Sequence, residues 1–456
     1  MIKLYNTYTK NKDEFKSLKE NEVSIYTCGV TVYSDAHIGN MRTYIFSDIL
    51  RKMFKLNGYK VNHVMNITDV GHLVSDEDTG EDKMIKASNK LGVSPYEIAK
   101  IYTEKYQKDF KKLNIEETEK VIKATSEIEA MEKYVDRIVE NGYAYETKNG
   151  VYFDTKKLTT YGELSKINME ELKAGARIEV DENKKNPLDF ALWIKAPKNH
   201  IMQWNSKYGS CYPGWHIECS AISKKYLGEV MDIHTGGVDH INIHHENEIA
   251  QSRGATGKLP ANYWMHGEFL LIDGGKMSKS LGNVYTITTL QEKGYDPLAY
   301  RLFTYSSSYR NKLNFTFEAL EGASNSLKKL RELYKLHLNS DEKVNDVEEY
   351  KNKFLNELND DLNMPNVMAV VYEVAKKQTK SKMYADLLKY FDKVLSIDID
   401  KVDEIKIDSD IEDILEKRKI ARENKDFNLS DVYRDKLLEL GYKVLDTKEG
   451  QKLEKI

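Results

Sequence analysis

The stretch HTGGVDHINIHHENE (234–248) places four of the chain's 11 histidines and three acids, Asp239, Glu246 and Glu248, in fifteen positions. Such a run is compatible with a metal site, an acid–base site, a phosphate cradle or a polar run without chemistry. NIHHENEIAQS reads as helical, which puts His244 and Glu248 at i and i+4 on one face. That pair can supply two zinc ligands or form an ordinary ion pair, and tetrahedral zinc needs two ligands more. A zinc-protease site requires His-Glu-x-x-His. Here His245-Glu246 is followed by Asn247, Glu248 and Ile249, so the second histidine is missing.

Two other stretches carry candidate chemistry. TVYSDAHIGN (31–40) leaves a strand and enters a helix, whose unpaired N–H groups attract phosphate. His37 adds a donor there and Gly39 allows close backbone approach, although His37 and Asn40 can equally serve as plain helix caps. GGKMSKSLGN (274–283) carries Lys276 and Lys279, which can neutralise a polyphosphate or belong to a surface turn. The three cysteines, Cys28, Cys211 and Cys219, include no Cys-x-x-Cys pair. Their number excludes a disulfide scaffold and favours a reducing cytosol, and buried free thiol is the ordinary reading of each.

The elements that must position these groups read as α/β in the first half. VSIYTCGVTVY (23–33) has strand composition. The helix NMRTYIFSDILRKMFKLNG follows, with Ile45, Ile49, Leu50, Met53 and Phe54 at helical spacing and Gly58 as its stop. A second strand, KVNHVMNIT (60–68), completes a βαβ unit and implies a parallel sheet. Such sheets bind ligands beyond the carboxyl ends of their strands. The texture changes over 118–205, read as an insertion, and YLGEVMDIHTGG resumes the sheet. From about 318 the pattern is helical, and an acidic linker (396–410) precedes a last small unit. A chain of 456 residues exceeds one ordinary core. A net charge of −4 excludes a generally basic nucleic-acid coat but not a local basic face. No apolar run is long enough to cross a bilayer, and MIKLYNTYTKNKDEF lacks a signal-peptide core, so a cytoplasmic globular protein is expected.

Together, His37-Ile38-Gly39-Asn40 and KMSKS (276–280) resemble the two signature motifs of class I aminoacyl-tRNA synthetases, which flank bound ATP. Asn40 stands where the commonest form has a second histidine, and it still donates hydrogen bonds. TCGVTVYSDAHIGN, PGWHIECSA, GGVDHINIHHENE and KMSKS occur in this order, and the chain resembles the cysteinyl-tRNA synthetase family over nearly its whole length. The resemblance implies a Rossmann-like (HUP-type) parallel-sheet catalytic domain, 1–117 and 206–317, including the KMSKS loop region. A connective insertion (118–205), an α-helical tRNA-binding bundle (318–400) and a small anticodon-binding unit (401–456) would complete it.

The resemblance further implies one zinc per chain, held by Cys28, Cys219, His244 and Glu248, with Thr68, Trp215 and His234 around the bound cysteine. His37 and Asn40 would hold phosphates, Gly236 and Asp239 the nucleoside, and Lys276 and Lys279 the leaving pyrophosphate. Partners are then ATP with Mg²⁺, L-cysteine and tRNA-Cys, acting on a monomer away from membranes. Cys211, His240, His245 and Glu246 receive no role. Zinc suits a thiol substrate, because a 10⁴-fold preference for cysteine over serine needs about 5.5 kcal/mol and soft sulfur binds zinc directly. One departure is the end of the chain, where the family's Gly-x-x-Trp is replaced by Gly450-Gln451-Lys452-Leu453.

The nearest rival is a small-molecule ligase joining cysteine to an amino sugar on the same catalytic domain. It needs no anticodon unit, so the C-terminal third argues against it. A non-catalytic zinc or nucleotide-binding regulator is opposed by the presence of His37 and Lys279. Replacing Lys279 with Ala is expected to slow adenylate formation far more than it weakens cysteine binding, measured by pre-steady-state kinetics and equilibrium titration.

Overall fold

Five parallel strands form the central sheet, in the order Ala261–Gly267, Met231–Gly237, Glu22–Thr27, Lys60–Ile67, Lys120–Lys123. The computed structural model describes residues 1–71, 83–166, 184–197, 200–277, 282–401, 409–447 and 450–455; Lys279 lies outside them. The chain builds outward from Glu22–Thr27 in one direction and later returns to its other side. The strand order therefore reverses between Glu22–Thr27 and Met231–Gly237, the point where open α/β sheets leave a crevice for ligands. Ile25 and Ile233, both fully buried, fill the core at this junction.

The helix Ile38–Leu56 is the first crossover, and its apolar positions Ile45, Ile49, Leu50, Met53 and Phe54 are buried as their spacing predicts. Gly58, at φ +84°, turns the chain into Lys60–Ile67. A five-stranded antiparallel sheet interrupts the α/β pattern, in the order Ala144–Thr147, Gly150–Phe153, Phe190–Lys195, Gly209–Pro213, Trp204–Ser206. Composition alone marks 118–205 as inserted. Hydrogen bonding instead assigns Lys120–Lys123 to the parallel sheet and carries the antiparallel sheet on to Pro213.

Four helices, Phe317–Leu338, Val347–Asn359, Met364–Ala375 and Lys382–Leu395, follow a small sheet of Leu270–Ile272, Gly275–Lys276 and Leu313–Phe315. Phe354 and Phe391 stack at 4.1 Å inside the helical group. Residues Met1–Ile399 form one compact unit and Asp400–Ile456 a second. In the second, helices Ser409–Glu423 and Phe427–Glu439 pack with the hairpin Tyr442–Thr447/Gly450–Lys455 around Ile411, Ile414, Leu437, Val444 and Leu453. Leu453 is thus a core residue of this unit. No helix among the described residues is long and apolar enough to cross a membrane.

A buried ionic joint ties the helical group to the helix Ile38–Leu56. Arg301 is fully buried and donates to Asp48 Oδ2 (2.5 Å) and to the carbonyls of Leu395 (2.8 Å) and Leu113 (2.7 Å). Lys52 bridges Asp48 (2.8 Å) and the Ser396 hydroxyl (2.7 Å). Burial opposes ionisation of Asp48, but Arg301 and Lys52 overcome it and hold its pKa below the ordinary value. A depressed carboxylate pKa contributes stability above the unfolded value of about 3.9, and that contribution is lost as pH falls through the folded value. Arg301→Met takes the guanidinium from Asp48, which keeps Lys52 and the Glu116 N–H, and takes the donor from the Leu113 carbonyl, so a loss of about 3–5 kcal/mol is expected. Urea unfolding followed by fluorescence of Trp193, Trp204, Trp215 and Trp264 measures it, and the deficit should shrink below about pH 4.

Candidate active site and metal centre

The crevice at the reversal point is a cleft of ≈ 440 Å³ whose lining includes Cys28, Cys219, His244, Thr68 and Trp215 together with His37, Asn40 and Asp239. Cys28 immediately follows the strand Glu22–Thr27, and its N–H donates to the Thr235 carbonyl of the neighbouring strand. Cys219 lies on the helix Trp215–Leu227, and His244 and Glu248 open the helix His244–Thr256. Residues remote in sequence therefore converge because three elements end at one edge of the sheet.

One ligand atom from each of Cys28, Cys219, His244 and Glu248 lies within 4.8 Å of the other three, and all four residues are 2–5% exposed. The sulfurs are 3.8 Å apart, and Cys28 Sγ is 3.7 Å from Glu248 Oε1. Two thiolates on a tetrahedral zinc, each about 2.3 Å from it, are separated by about 3.8 Å. The donor set of two sulfurs, one imidazole and one carboxylate therefore fits zinc in kind, number and spacing. The same sulfur separation excludes a disulfide.

Electrostatics agrees with a cation-seeking site. Burial opposes the charge on Glu248, yet the imidazoles of His234 and His244 hold it below the usual carboxylate range. Burial likewise opposes protonation of His244, and Cys219 and Glu248 push it up to about 10. Burial, Cys219 and Glu248 drive the Cys28 thiol well above its ordinary value. Both imidazole nitrogens of His244 are engaged: Nε2 lies 3.0 Å from Glu248 Oε1, and Nδ1 bonds His216 at 2.9 Å. Trp215 packs its ring 4.5 Å from that of His244.

Three residues left without a role by sequence reasoning prove to be engaged. His245 Nε2 is 3.2 Å from Cys28 Sγ, His245 Nδ1 is 2.8 Å from His266 Nε2, and His266 Nδ1 is 2.8 Å from the Thr7 hydroxyl. Burial keeps both rings neutral, so each has a single N–H to place. A thiolate only accepts; hence with Cys28 ionised, His245 donates to it, His266 donates to His245, and Thr7 donates to His266. Glu246 accepts the N–H groups of Gly162, Leu164 and Ser165 (2.8, 3.0 and 2.9 Å), fastening that segment to the helix. His240 lines the cleft and is held to about 4 by burial and the charge on His244, which keeps it neutral. Neither His266 nor Thr7 belongs to a motif, so spacing offered no signal for them.

Other expected site residues fall in different places. His234 is fully buried behind the cleft, stacked on Trp264 and bonded to Glu248 Oε2 at 2.9 Å. It holds the carboxylate rather than lining the pocket. Gly236 is also outside the lining; a Cβ there would meet His240 Nδ1 at 2.7 Å and His245 Cε1 at 2.8 Å, so only glycine admits the two rings. Thr68 donates to Glu218 Oε2 (2.8 Å) and accepts from Asn66 (3.0 Å). Asp239 is exposed on the turn Val238–His240, and Lys276 is exposed on its short strand. Cys211 is buried in the antiparallel sheet, away from the donor set.

His37 caps the helix Ile38–Leu56 reciprocally with Asn40: His37 Nδ1 accepts the Asn40 N–H, and Asn40 Oδ1 accepts the His37 N–H, each at 3.1 Å. The substituted asparagine thus completes a capping box, and its amide NH₂ is not used by that box.

Residues 14–325 match the family model described as the class I (C) tRNA synthetase catalytic domain. A cysteine–tRNA ligase of Treponema denticola is 43% identical over 486 residues, covering 99% of this chain and 98% of the relative. One from Caldicellulosiruptor saccharolyticus is 42% identical over 476 residues, covering all of both. Among solved structures, Mycobacterium tuberculosis methionyl-tRNA synthetase in complex with methionyl-adenylate superposes with a TM-score of 0.59 at 14% identity. That match covers 82% of this chain and 90% of the other, and it speaks to the fold alone. On full-length identity above 40% and the catalytic-domain match, the chain belongs to the cysteine–tRNA ligase family of class I aminoacyl-tRNA synthetases.

Proposed function

We propose that this chain activates L-cysteine with ATP and transfers the cysteinyl group to the 3′ end of tRNA-Cys. The observation that carries the proposal is the shared cleft: a two-thiol, imidazole and carboxylate donor set lies beside a helix start bearing His37 and Asn40. In the first step an oxygen of the cysteine carboxylate attacks the α-phosphorus and pyrophosphate leaves. In the second, a 3′-terminal ribose hydroxyl attacks the carbonyl carbon and AMP leaves. Neither step needs a protein nucleophile, so catalysis rests on positioning and charge stabilisation.

The residues divide the work accordingly. The helix N-terminus, His37 and the Asn40 amide hold phosphates, and Lys276 with Lys279 neutralises the departing pyrophosphate. Asp239 holds the adenosine ribose, and Thr68 and Trp215 bound the amino acid. Mg²⁺ accompanies ATP. Zinc held by Cys28, Cys219, His244 and Glu248 would supply a soft Lewis acid that prefers the substrate thiol to a hydroxyl. His234 is assigned to orienting Glu248, and His245 to donating a hydrogen bond to Cys28. The sheet domain with its insert then corresponds to a HUP-type catalytic domain with a connective domain. The helices between 317 and 395 and the Asp400–Ile456 unit are assigned to tRNA, with the latter at the anticodon, on a monomeric enzyme.

Cysteine-dependent pyrophosphate–ATP exchange without tRNA and charging of tRNA-Cys test the reading. Transfer to an amino sugar but not to tRNA would replace it with the small-molecule ligase. Cys219→Ser is expected to lower zinc content below one per chain and cysteine affinity with it; retention of stoichiometric zinc removes Cys219 from the ligand set. His245→Leu deletes an outer-shell donor and should weaken zinc by about 10- to 100-fold in chelator competition.

A further inference from the structure

Arg42 lies two residues beyond Asn40 on the same helix and is 4% exposed. It has no ion pair among the described residues, and burial pulls its pKa below the ordinary arginine value. Its charge is met by four main-chain carbonyls. Nη1 donates to Glu268 and Phe269, both at 2.8 Å, and Nη2 to Ser308 (3.1 Å) and Asn311 (2.6 Å).

Those carbonyls are not arbitrary. Glu268 and Phe269 immediately precede the strand Leu270–Ile272, and Ser308 and Asn311 precede Leu313–Phe315, its parallel partner. The third strand of that sheet, Gly275–Lys276, pairs with Leu270–Ile272 and carries Lys276. One planar cation thus closes the entrances to two strands and fixes both to the helix that begins at His37. Two further bonds act on the same helix turn: the Ile38 N–H donates to the Tyr285 carbonyl (2.9 Å), and the Tyr300 hydroxyl donates to the Ile38 carbonyl (2.6 Å). The two parts are neighbours, since a Cβ on Gly39 would lie in ordinary contact, 3.6 Å, with Cε of Met277, the residue next to Lys276.

We propose that Arg42 is a positioning residue for the nucleotide step, setting the separation between the His37–Asn40 helix start and the strand that presents Lys276. This rests on the ligase reading above. A guanidinium reaches four acceptors on two segments because its donors are spread over a rigid fork. A lysine ammonium, with three donors on one atom, cannot span them.

The test compares Arg42→Lys in the wild-type and Lys276→Ala backgrounds, by cysteine-dependent pyrophosphate–ATP exchange, zinc content and thermal midpoint. A displaced reacting group costs up to about 10²-fold, so Arg42→Lys should lower exchange kcat by about 10- to 10²-fold. KM for cysteine and zinc stoichiometry should stay unchanged. In the Lys276→Ala background the same substitution should cost less than about threefold, because the two residues act as one unit. Equal losses in both backgrounds, or zinc and cysteine KM shifting along with the thermal midpoint, would reduce Arg42 to a packing residue and overturn the proposal; so would unchanged kinetics. Absence of exchange in the wild type overturns the ligase reading first, and the two failures are therefore distinguishable.

Discussion

Glu248 is buried with each carboxylate oxygen against an imidazole, Oε2 at 2.9 Å from His234 and Oε1 at 3.0 Å from His244, and with the Cys28 sulfur 3.7 Å away. Removing such a group from water costs several kcal/mol, which only close and well-held partners offset. Each partner is in turn held from behind: His234 by Trp264, His244 by His216, and Cys28 by the series His245, His266 and Thr7. The requirement of one carboxylate thus propagates to an edge strand of the sheet and to the N-terminal segment.

The reversal of strand order explains why the four candidate ligands come from three separate parts of the chain. Glu22–Thr27 and Met231–Gly237 are neighbours in the sheet, yet the antiparallel insert lies between them in sequence. Strand ends at a reversal diverge, and the helices Trp215–Leu227 and His244–Thr256 fill the gap with Cys219, His244 and Glu248. The insert is fastened to the second of these helices through Glu246 and through Asn247, which accepts from the Tyr161 hydroxyl at 2.6 Å. A polar run that looks like one cluster in sequence therefore serves two directions in space.

Sequence periodicity made the βαβ unit legible, since Ile45, Ile49, Leu50, Met53 and Phe54 mark one helix face and Gly58 its end. It also exposed His244 and Glu248 as a pair. Cys28 and Cys219, 191 positions apart, carry no mutual spacing signal, and only resemblance joined them. His245 and His266 were unreadable for a related reason: a histidine that orients another residue has no preferred offset from it. Arg42 reads as an ordinary charged helix residue because its partners are backbone carbonyls, which every sequence has. Resemblance assigns His234 to the amino acid, and its bond to Glu248 inside a fully buried strand had no signal in the sequence. The helix His244–Thr256, with 11 of its 13 residues buried, shows no amphipathic pattern because every face meets protein.

The two ends of the candidate site are built differently, and the chemistry assigned to each accounts for it. Telling sulfur from oxygen requires donors fixed before the substrate arrives, since a donor set that relaxes around either atom loses its preference. Cys28, Cys219, His244 and Glu248 meet that demand by being almost wholly buried, on strand and helix ends, with partners behind them. The groups assigned to the nucleotide face the opposite demand, because pyrophosphate and AMP must leave in every cycle. Asn40, Asp239 and Lys276 are exposed, on a helix start, a short turn and a short strand. Exposed charges interact weakly enough to release a product, but they position poorly by themselves. Precision at that end must therefore come from the frame beneath them, the role proposed for Arg42, whose guanidinium donors are already taken by four carbonyls.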